Sequence, residues 1–326
     1  MSKLVTIYGG SGFVGRHIAQ RMAKEGWRVR VAVRRPNEAM FVKPYGAVGQ
    51  VEPVFCNIRD DASVAAVMDG ADAVVNCVGI LDNSGKNTFD AVQADGAERI
   101  ARLAAAAGIE RMVHISAIGG DAESESAYAR TKAAGEAGVL AHMPGAMILR
   151  PSVIFGMDDQ FFNRFASMSR MGPILPIVGG ETKFQPVYVD DVAKAAVMGV
   201  LGEAEGLFEL GGPEVKTLRG WVEEILEVIH RKKVILNLPF GIGRLMGWTF
   251  DMICKVLFGL FDNKILTRDQ VKLLRHDNVV SEGAQSFEAL GIKPVAPESV
   301  IADYLWRFRP SGQYDAIKDS AKNLRV

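Results

Sequence analysis

Leu4-Val5-Thr6-Ile7-Tyr8 runs directly into Gly9-Gly10-Ser11-Gly12-Phe13-Val14-Gly15, and helix-period sequence continues to Glu25. An apolar β-branched run, a glycine-rich turn and a helix, in that order, form a unit in which each glycine has its own task. Gly9 allows the tight turn, Gly12 lets a pyrophosphate approach the backbone, and Gly15 permits close helix–strand packing. The helix start then offers unpaired N–H groups and a partial positive charge to phosphate oxygens. The stretch predicts a Rossmann-type dinucleotide site, with Gly9, Ser11, Gly12, Phe13, Val14 and Gly15 on the cofactor side. The alternative is a glycine-rich turn that binds nothing.

Outward from that unit, strands are expected at Val29–Val33, Val51–Phe55, Ala73–Cys77, Met112–Ile115 and Ala146–Leu149. Helix-period segments lie between them at Ala62–Met68, Thr88–Ala107 and Ala127–His142. The rhythm predicts an α/β protein with a doubly wound parallel sheet and right-handed crossovers. It breaks after Arg150-Pro151. Residues 1–150 are expected to form the Rossmann domain and 151–326 a smaller C-terminal α/β region interleaved with it, with helices at Asp190–Leu201 and Leu218–His230.

Lys plus Arg and Asp plus Glu number 38 each, so no overall field draws nucleic acid. Cys56, Cys77 and Cys254 lack metal-ligand spacing, and two of them sit in apolar strand-like runs. Buried structural thiols in a reducing compartment are expected. His17, His114, His142, His230 and His276 are dispersed, so no metal site is expected. The chain enters a strand almost at once, and no signal or transit segment is expected.

Cofactor choice is read at the end of the second strand. An NAD-selective site usually carries an acid there for the ribose hydroxyls. This chain has Val33-Arg34-Arg35-Pro36. Two guanidiniums suit a 2′-phosphate, with Arg16 as a third, so NADPH is expected. A solvated arginine pair is the alternative.

Tyr128 and Lys132 stand at i, i+4 and share a helix face. An ammonium beside a phenol stabilises the phenolate, giving a usable acid/base, and Ser116 could donate to a substrate carbonyl. On these residues the chain resembles the short-chain dehydrogenase/reductase superfamily, in its extended or atypical branch. Further pieces that carry the likeness are Asn57-Ile58, Asn76-Cys77-Val78-Gly79, Arg150-Pro151-Ser152, residues 186–193 and residues 290–294. The resemblance implies that Tyr128 and Lys132 hold the nicotinamide ribose. It also implies that Ser116, Asn57, Ile58, Cys77, Val78, Gly79, Pro151 and Val153 line the cofactor. Extended-branch enzymes carry Asn-x-x-Gly on the fourth helix, where Gln93 precedes Ala94-Asp95-Gly96 here. That puts a proton-relay asparagine, and with it full turnover, in doubt.

Within the superfamily, YGGSGFVGRH, HISAIGGD, YARTKAAGE and RPSVIFG are similar to the NADPH-binding accessory-subunit family of respiratory complex I and its α-proteobacterial counterparts. That likeness implies a structural nucleotide with little or no turnover, complex I subunits as partners, and a peripheral place on the bacterial inner membrane's cytoplasmic face (or the mitochondrial matrix face). A free-standing reductase or epimerase using Tyr128, Lys132 and Ser116 is the rival, and an NADPH/NADP-sensing binding protein is a third reading.

Phe240–Phe261 is long enough for a membrane span but contains Arg244, Asp251 and Lys255. At 100° per residue these charges fall within about 20° of one line. A wide apolar face with a narrow charged stripe suits a helix lying in a membrane interface or against a partner. Residues 228–280 carry nine Lys/Arg against four Asp/Glu, which favours anionic headgroups. A domain helix packed on the sheet is the alternative.

Overall fold

The structure is a computed structural model that describes residues 2–245, 248–249 and 267–314. Its centre is β1 (Leu4–Tyr8), buried at every position. A strand with no polar face must be covered on both sides, which in an α/β protein means a parallel sheet with helices above and below. After the turn come α1 (Phe13–Lys24), β2 (Arg28–Val33), β3 (Val51–Phe55), α2 (Asp61–Met68) and β4 (Ala73–Asn76). Next are α3 (Asp95–Ala106), β5 (Arg111–Ile115), α4 (Ala127–His142) and β6 (Met147–Pro151). Seven strands pair in parallel in the order β3-β2-β1-β4-β5-β6 followed by Gly206–Leu210. The order reverses between β1 and β4, where Tyr8 faces Asn76 in register. Ligands of open α/β sheets bind at such a switch, beyond the strands' C-terminal ends.

Two apolar cores lie on the two faces. Val5, Ile7, Val31 and Leu149 pack with Ile18 and Met22 of α1 and with Val192 and Ala196 of the helix Val189–Leu201. Val74 and Met112 pack on the other face with Val64 of α2, Ile100 of α3 and Val139 of α4. A third core, away from the sheet, joins Phe155, Phe162, Ile177, Trp221, Ile225 and Ile301. The chain beyond Pro151 therefore feeds both the first core and the third.

One expectation is corrected, and one strand was not expected. The seventh strand, Gly206–Leu210, comes from the region read as interleaved with the first domain but was not among the expected strands. Its apolar run is interrupted by Glu209, which the fold tolerates because Arg150 stands beside it in register and their charged groups lie 3.6 Å apart. The helix expected over Thr88–Ala107 instead begins with a π-helical turn, Asp90–Ala94, before α3. Such wide turns recur at functional sites. Here α4 comes so close that a Cβ on Gly135 would lie 2.3 Å from the carbonyl oxygen of Gln93.

Most of Phe240–Phe261 falls outside the described residues, including Asp251 and Lys255. Of its described part, Ile242, Leu245 and Trp248 are exposed. Among the described residues, no helix is long and apolar enough to cross a membrane.

Candidate functional site

The glycine turn has the geometry its sequence predicts. Gly9 takes a positive φ of 73° and donates to Ala32 O, tying the turn to β2. Gly12 is the N-cap residue of α1, and no side chain caps that end. The first N–H groups of a helix have no partner within it, so this end can receive an anion. A Cβ on Gly15 would sit 2.4 Å from Gly9 O and 2.7 Å from Gly10 Cα. A Cβ on Gly12 would meet only Gly9 O, at 3.1 Å, and Gly12 is exposed. Gly15 is thus closed by the protein's own backbone, while Gly12 meets one backbone oxygen and is otherwise open. Phe13, Val14 and Ser11 are partly buried around them.

The opposite wall comes from the end of β4. Cys77 donates its N–H to Tyr8 O, Val78 donates to Asn76 Oδ1, and Gly79 is exposed. Asn57 and the buried Ile58 follow β3, with Asn57 N held by Ser63 Oγ at 2.9 Å. Pro151 is buried at the end of β6, while Val153 N donates to Asn278 Oδ1 at 3.1 Å. The thiols of Cys56 and Cys77 are pushed up by burial, to about 11 and about 12. Neither is a ready nucleophile.

Arg34 and Arg35 are both exposed beyond β2. Arg35 pairs with Glu38 at 3.0 Å, and Arg16 with Asp158 at 2.7 Å. Arg34 has no ion-pair or hydrogen-bond partner among the described residues. Of the three guanidiniums expected on a 2′-phosphate, one is free, and two would have to exchange a surface carboxylate, a contact worth little in water.

Tyr128 and Lys132 lie on one face of α4, with Lys132 Nζ 5.9 Å from the Tyr128 ring centroid. Ser126 caps the helix by accepting from Ala129 N. Tyr128 packs edge-on against Phe89, at a centroid separation of 6.0 Å. Here an expectation fails: burial pushes the Tyr128 phenol up to about 12, and Lys132 does not lower it. The lysine is itself pushed down to about 8 by burial, against the opposing pull of Glu136 and Cys77. Its ammonium donates to Ile115 O at 3.2 Å.

The lysine's shift has a readable consequence. A lysine whose folded pKa lies below its unfolded value binds fewer protons in the native state, so stability rises with pH between about 8 and 10.5. Lys132→Met should therefore stabilise the ligand-free chain at pH 7, on the order of 3 kcal/mol. The gain should shrink as pH climbs through that window. Urea midpoints at pH 7 and 9.5 check this; a variant less stable than the parent at pH 7 contradicts it.

Ser116 requires a second correction. It is buried, and its hydroxyl donates to Glu136. Glu136, also buried, accepts from Arg150 Nε at 3.0 and 3.1 Å and from Nη2 at 2.5 Å. The one O–H of the serine is spent inside the protein, so the donor needed to polarise a substrate carbonyl is missing. Glu136 was legible: Tyr128, Lys132 and Glu136 repeat at i, i+4, i+8 on one helix face.

Gln93 Oε1 and His114 Nε2 are buried and have no hydrogen-bond partner among the described residues. His114 Nδ1 lies 3.1 Å from Asn76 Nδ2, and burial pushes the imidazole down to about 3, keeping it neutral. Sequence reasoning missed Asp269, whose carboxylate accepts from Ser126 Oγ at 2.6 Å, Ala127 N at 2.9 Å and Tyr128 N at 3.1 Å. It lies in a helix, Arg268–Leu273, that opens with a Thr267/Gln270 capping box. That local pattern marks the short helix, but nothing local marks its target more than a hundred residues away.

The sequence profile of the NAD dependent epimerase/dehydratase family matches residues 5–206. The mitochondrial NADH dehydrogenase (ubiquinone) 1 alpha subcomplex subunit 9 of Arabidopsis thaliana is 34% identical, over 95% of this chain and 79% of its own length. The mitochondrial 40 kDa subunit of NADH-ubiquinone oxidoreductase from Neurospora crassa is 29% identical, over 98% and 83%. The crystal structure of DesIV, a dTDP-glucose 4,6-dehydratase from Streptomyces venezuelae with NAD and TYD bound, superposes with a TM-score of 0.70. At 19% identity, over 96% of this chain and 99% of that one, it speaks for the fold. The glycine turn at the switch point, the Tyr128/Lys132 face and a profile match over more than half the chain agree: the chain belongs to the NAD dependent epimerase/dehydratase family.

Proposed function

We propose that this chain is an accessory subunit of respiratory complex I that holds NADPH as a structural group, with little or no turnover. The similarity to complex I subunits along nearly the whole chain carries the reading. The local chemistry leans the same way. Ser116 donates inward to Glu136, Tyr128 is not acidified, and Gln93 replaces the relay asparagine. What remains suits holding: an open glycine turn, an uncapped helix start, and a lysine and tyrosine that face the nicotinamide ribose. We read Tyr128 and Lys132 as ribose-holding groups, with Gly9, Ser11, Gly12, Phe13, Val14 and Gly15 on the pyrophosphate side and Arg16 beside Arg34 and Arg35 at the 2′-phosphate. Asn57, Ile58, Cys77, Val78, Gly79, Pro151 and Val153 complete the walls.

Arg34 and Arg35 favour NADPH over NADH, since bidentate guanidinium–phosphate bonds need the 2′-phosphate. The nucleotide acts by mass action: a ligand bound only to the folded state stabilises it by about 4 kcal/mol at a thousandfold excess over its dissociation constant. The side formed by residues 151–326 would then meet neighbouring subunits, with Phe240–Phe261 against membrane or protein, on the cytoplasmic face of a bacterial inner membrane.

Arg34→Glu with Arg35→Glu tests both ideas. NADPH affinity should fall about a hundredfold while NADH affinity holds, given two charge-assisted bonds at roughly 1.5 kcal/mol each. The amount of assembled complex I in membranes should drop in parallel. Equal affinities for the two cofactors in the parent would remove NADPH selectivity. Unchanged assembly after NADPH binding is lost would sink the structural role.

A further inference from the structure

Gln93 sits in the π-helical turn Asp90–Ala94, only 2% exposed, with its backbone carbonyl pressed against Gly135 of α4. Its side-chain orientation follows from its neighbour. Thr131 Oγ1 donates its proton to the helix, with Ala127 O at 2.9 Å and Tyr128 O at 3.1 Å. That leaves Thr131 only its acceptor capacity toward Gln93, so the amide nitrogen turns to it, at 3.3 Å. The amide oxygen is then left with no partner among the described residues. An unpaired buried acceptor is costly, and native proteins keep few of them.

The oxygen is not pointed at random. A methyl group on the exposed Gly79 would lie 3.8 Å from Gln93 Oε1 and 3.6 Å from Lys132 Nζ. One unpaired acceptor and one cation with spare N–H groups thus both lie beside Gly79, each buried and within van der Waals reach of the space its missing side chain leaves. Lys132 uses one donor on Ile115 O and has two left. A vicinal diol matches that pair, because each hydroxyl can accept from the lysine or donate to the amide.

We propose that Gln93 Oε1 and Lys132 Nζ together grip the nicotinamide-side ribose diol, making Gln93 a cofactor-retaining residue. The proposal rests on the dinucleotide reading above and deepens it. An asparagine side chain is one methylene shorter and would fall short of the same spot.

The test compares Gln93→Leu and Gln93→Asn with the parent in equilibrium binding of two probes, NADPH and 2′,5′-ADP. The second probe has the phosphorylated adenosine half and no nicotinamide ribose. Gln93→Leu should weaken NADPH about tenfold, by removing an acceptor that a buried hydroxyl needs, and leave 2′,5′-ADP unchanged. Gln93→Asn should fall between. Unchanged NADPH affinity in Gln93→Leu overturns the proposal and leaves the dinucleotide reading standing. Parallel loss of both probes also overturns it, by assigning Gln93 to packing. A parent chain that binds neither probe overturns the underlying reading as well.

Discussion

Gly12→Ala should abolish nucleotide binding while leaving the fold nearly untouched, whereas Gly15→Ala should damage both. The two positions are three residues apart in one motif and differ in what a methyl group would meet. At Gly15 it would meet the backbone of Gly9 and Gly10, at 2.4 and 2.7 Å. Backbone cannot swing aside as a side chain can, so the turn must deform or α1 must retreat from β1. Overpacking of this kind costs about 3 kcal/mol or more, and the phosphate-binding turn loses its shape. At Gly12, φ is −69° and ψ is 176°, a conformation alanine adopts freely. Its methyl would occupy the open face where the pyrophosphate must come close. Replacing an N-cap glycine costs only about 1 kcal/mol or less. Titration calorimetry and urea unfolding on the two variants separate the effects. Each should bind NADPH at least a hundredfold more weakly, an estimate from losing several charge-assisted bonds. Wild-type affinity in Gly12→Ala would show that the turn does not hold the phosphates.

The second large effect is expected at Glu136. Its carboxylate is buried and receives both the Arg150 guanidinium and the Ser116 hydroxyl. The pair raises the Arg150 pKa, chiefly through the hydrogen bonds the guanidinium donates to Glu136, so the arginine stays charged. Glu136→Ala leaves that charge half-buried with only the looser contact to Glu209, at 3.6 Å. Breaking a buried pair from one side costs about 3–5 kcal/mol. The lower end is expected here because Glu209 remains and Arg150 is partly exposed. Glu136→Gln keeps an oxygen for the arginine and should cost about half as much. Denaturant midpoints decide the matter; a loss under about 1 kcal/mol in Glu136→Ala would mean the network contributes little.

Much of the sheet was readable because parallel strands buried on both faces leave unbroken apolar runs. Leu4–Tyr8 and Val51–Phe55 match residue for residue, and other boundaries move by one or two positions. What escaped reading depends on contacts distant in sequence. Glu209 hides a seventh strand because its charge is answered by Arg150 from another strand. The π-turn at Asp90–Ala94 leaves the 3.6-residue pattern almost unaltered and is set by packing against Gly135. Within the candidate site, spacing along the helix was readable and the states of the groups were not. Tyr128/Lys132 spacing fixes a shared face, while burial sets their protonation and opposes the expected acidification. Ser116 was identifiable by its place after β5, yet only the fold shows its proton given to Glu136.

The central claim is that the nucleotide is a resident part of a docked subunit. Its most direct test is to purify the tagged full chain from native membranes in mild detergent and assay the product for partners and bound nucleotide together. The account predicts co-purification with NADH:ubiquinone oxidoreductase activity and about one NADPH per chain, not consumed during turnover of the complex. A chain lacking residues 240–261 should lose those partners and keep its nucleotide. A free chain that arrives without complex I subunits, or that oxidises its NADPH on a carbonyl substrate, would contradict the account.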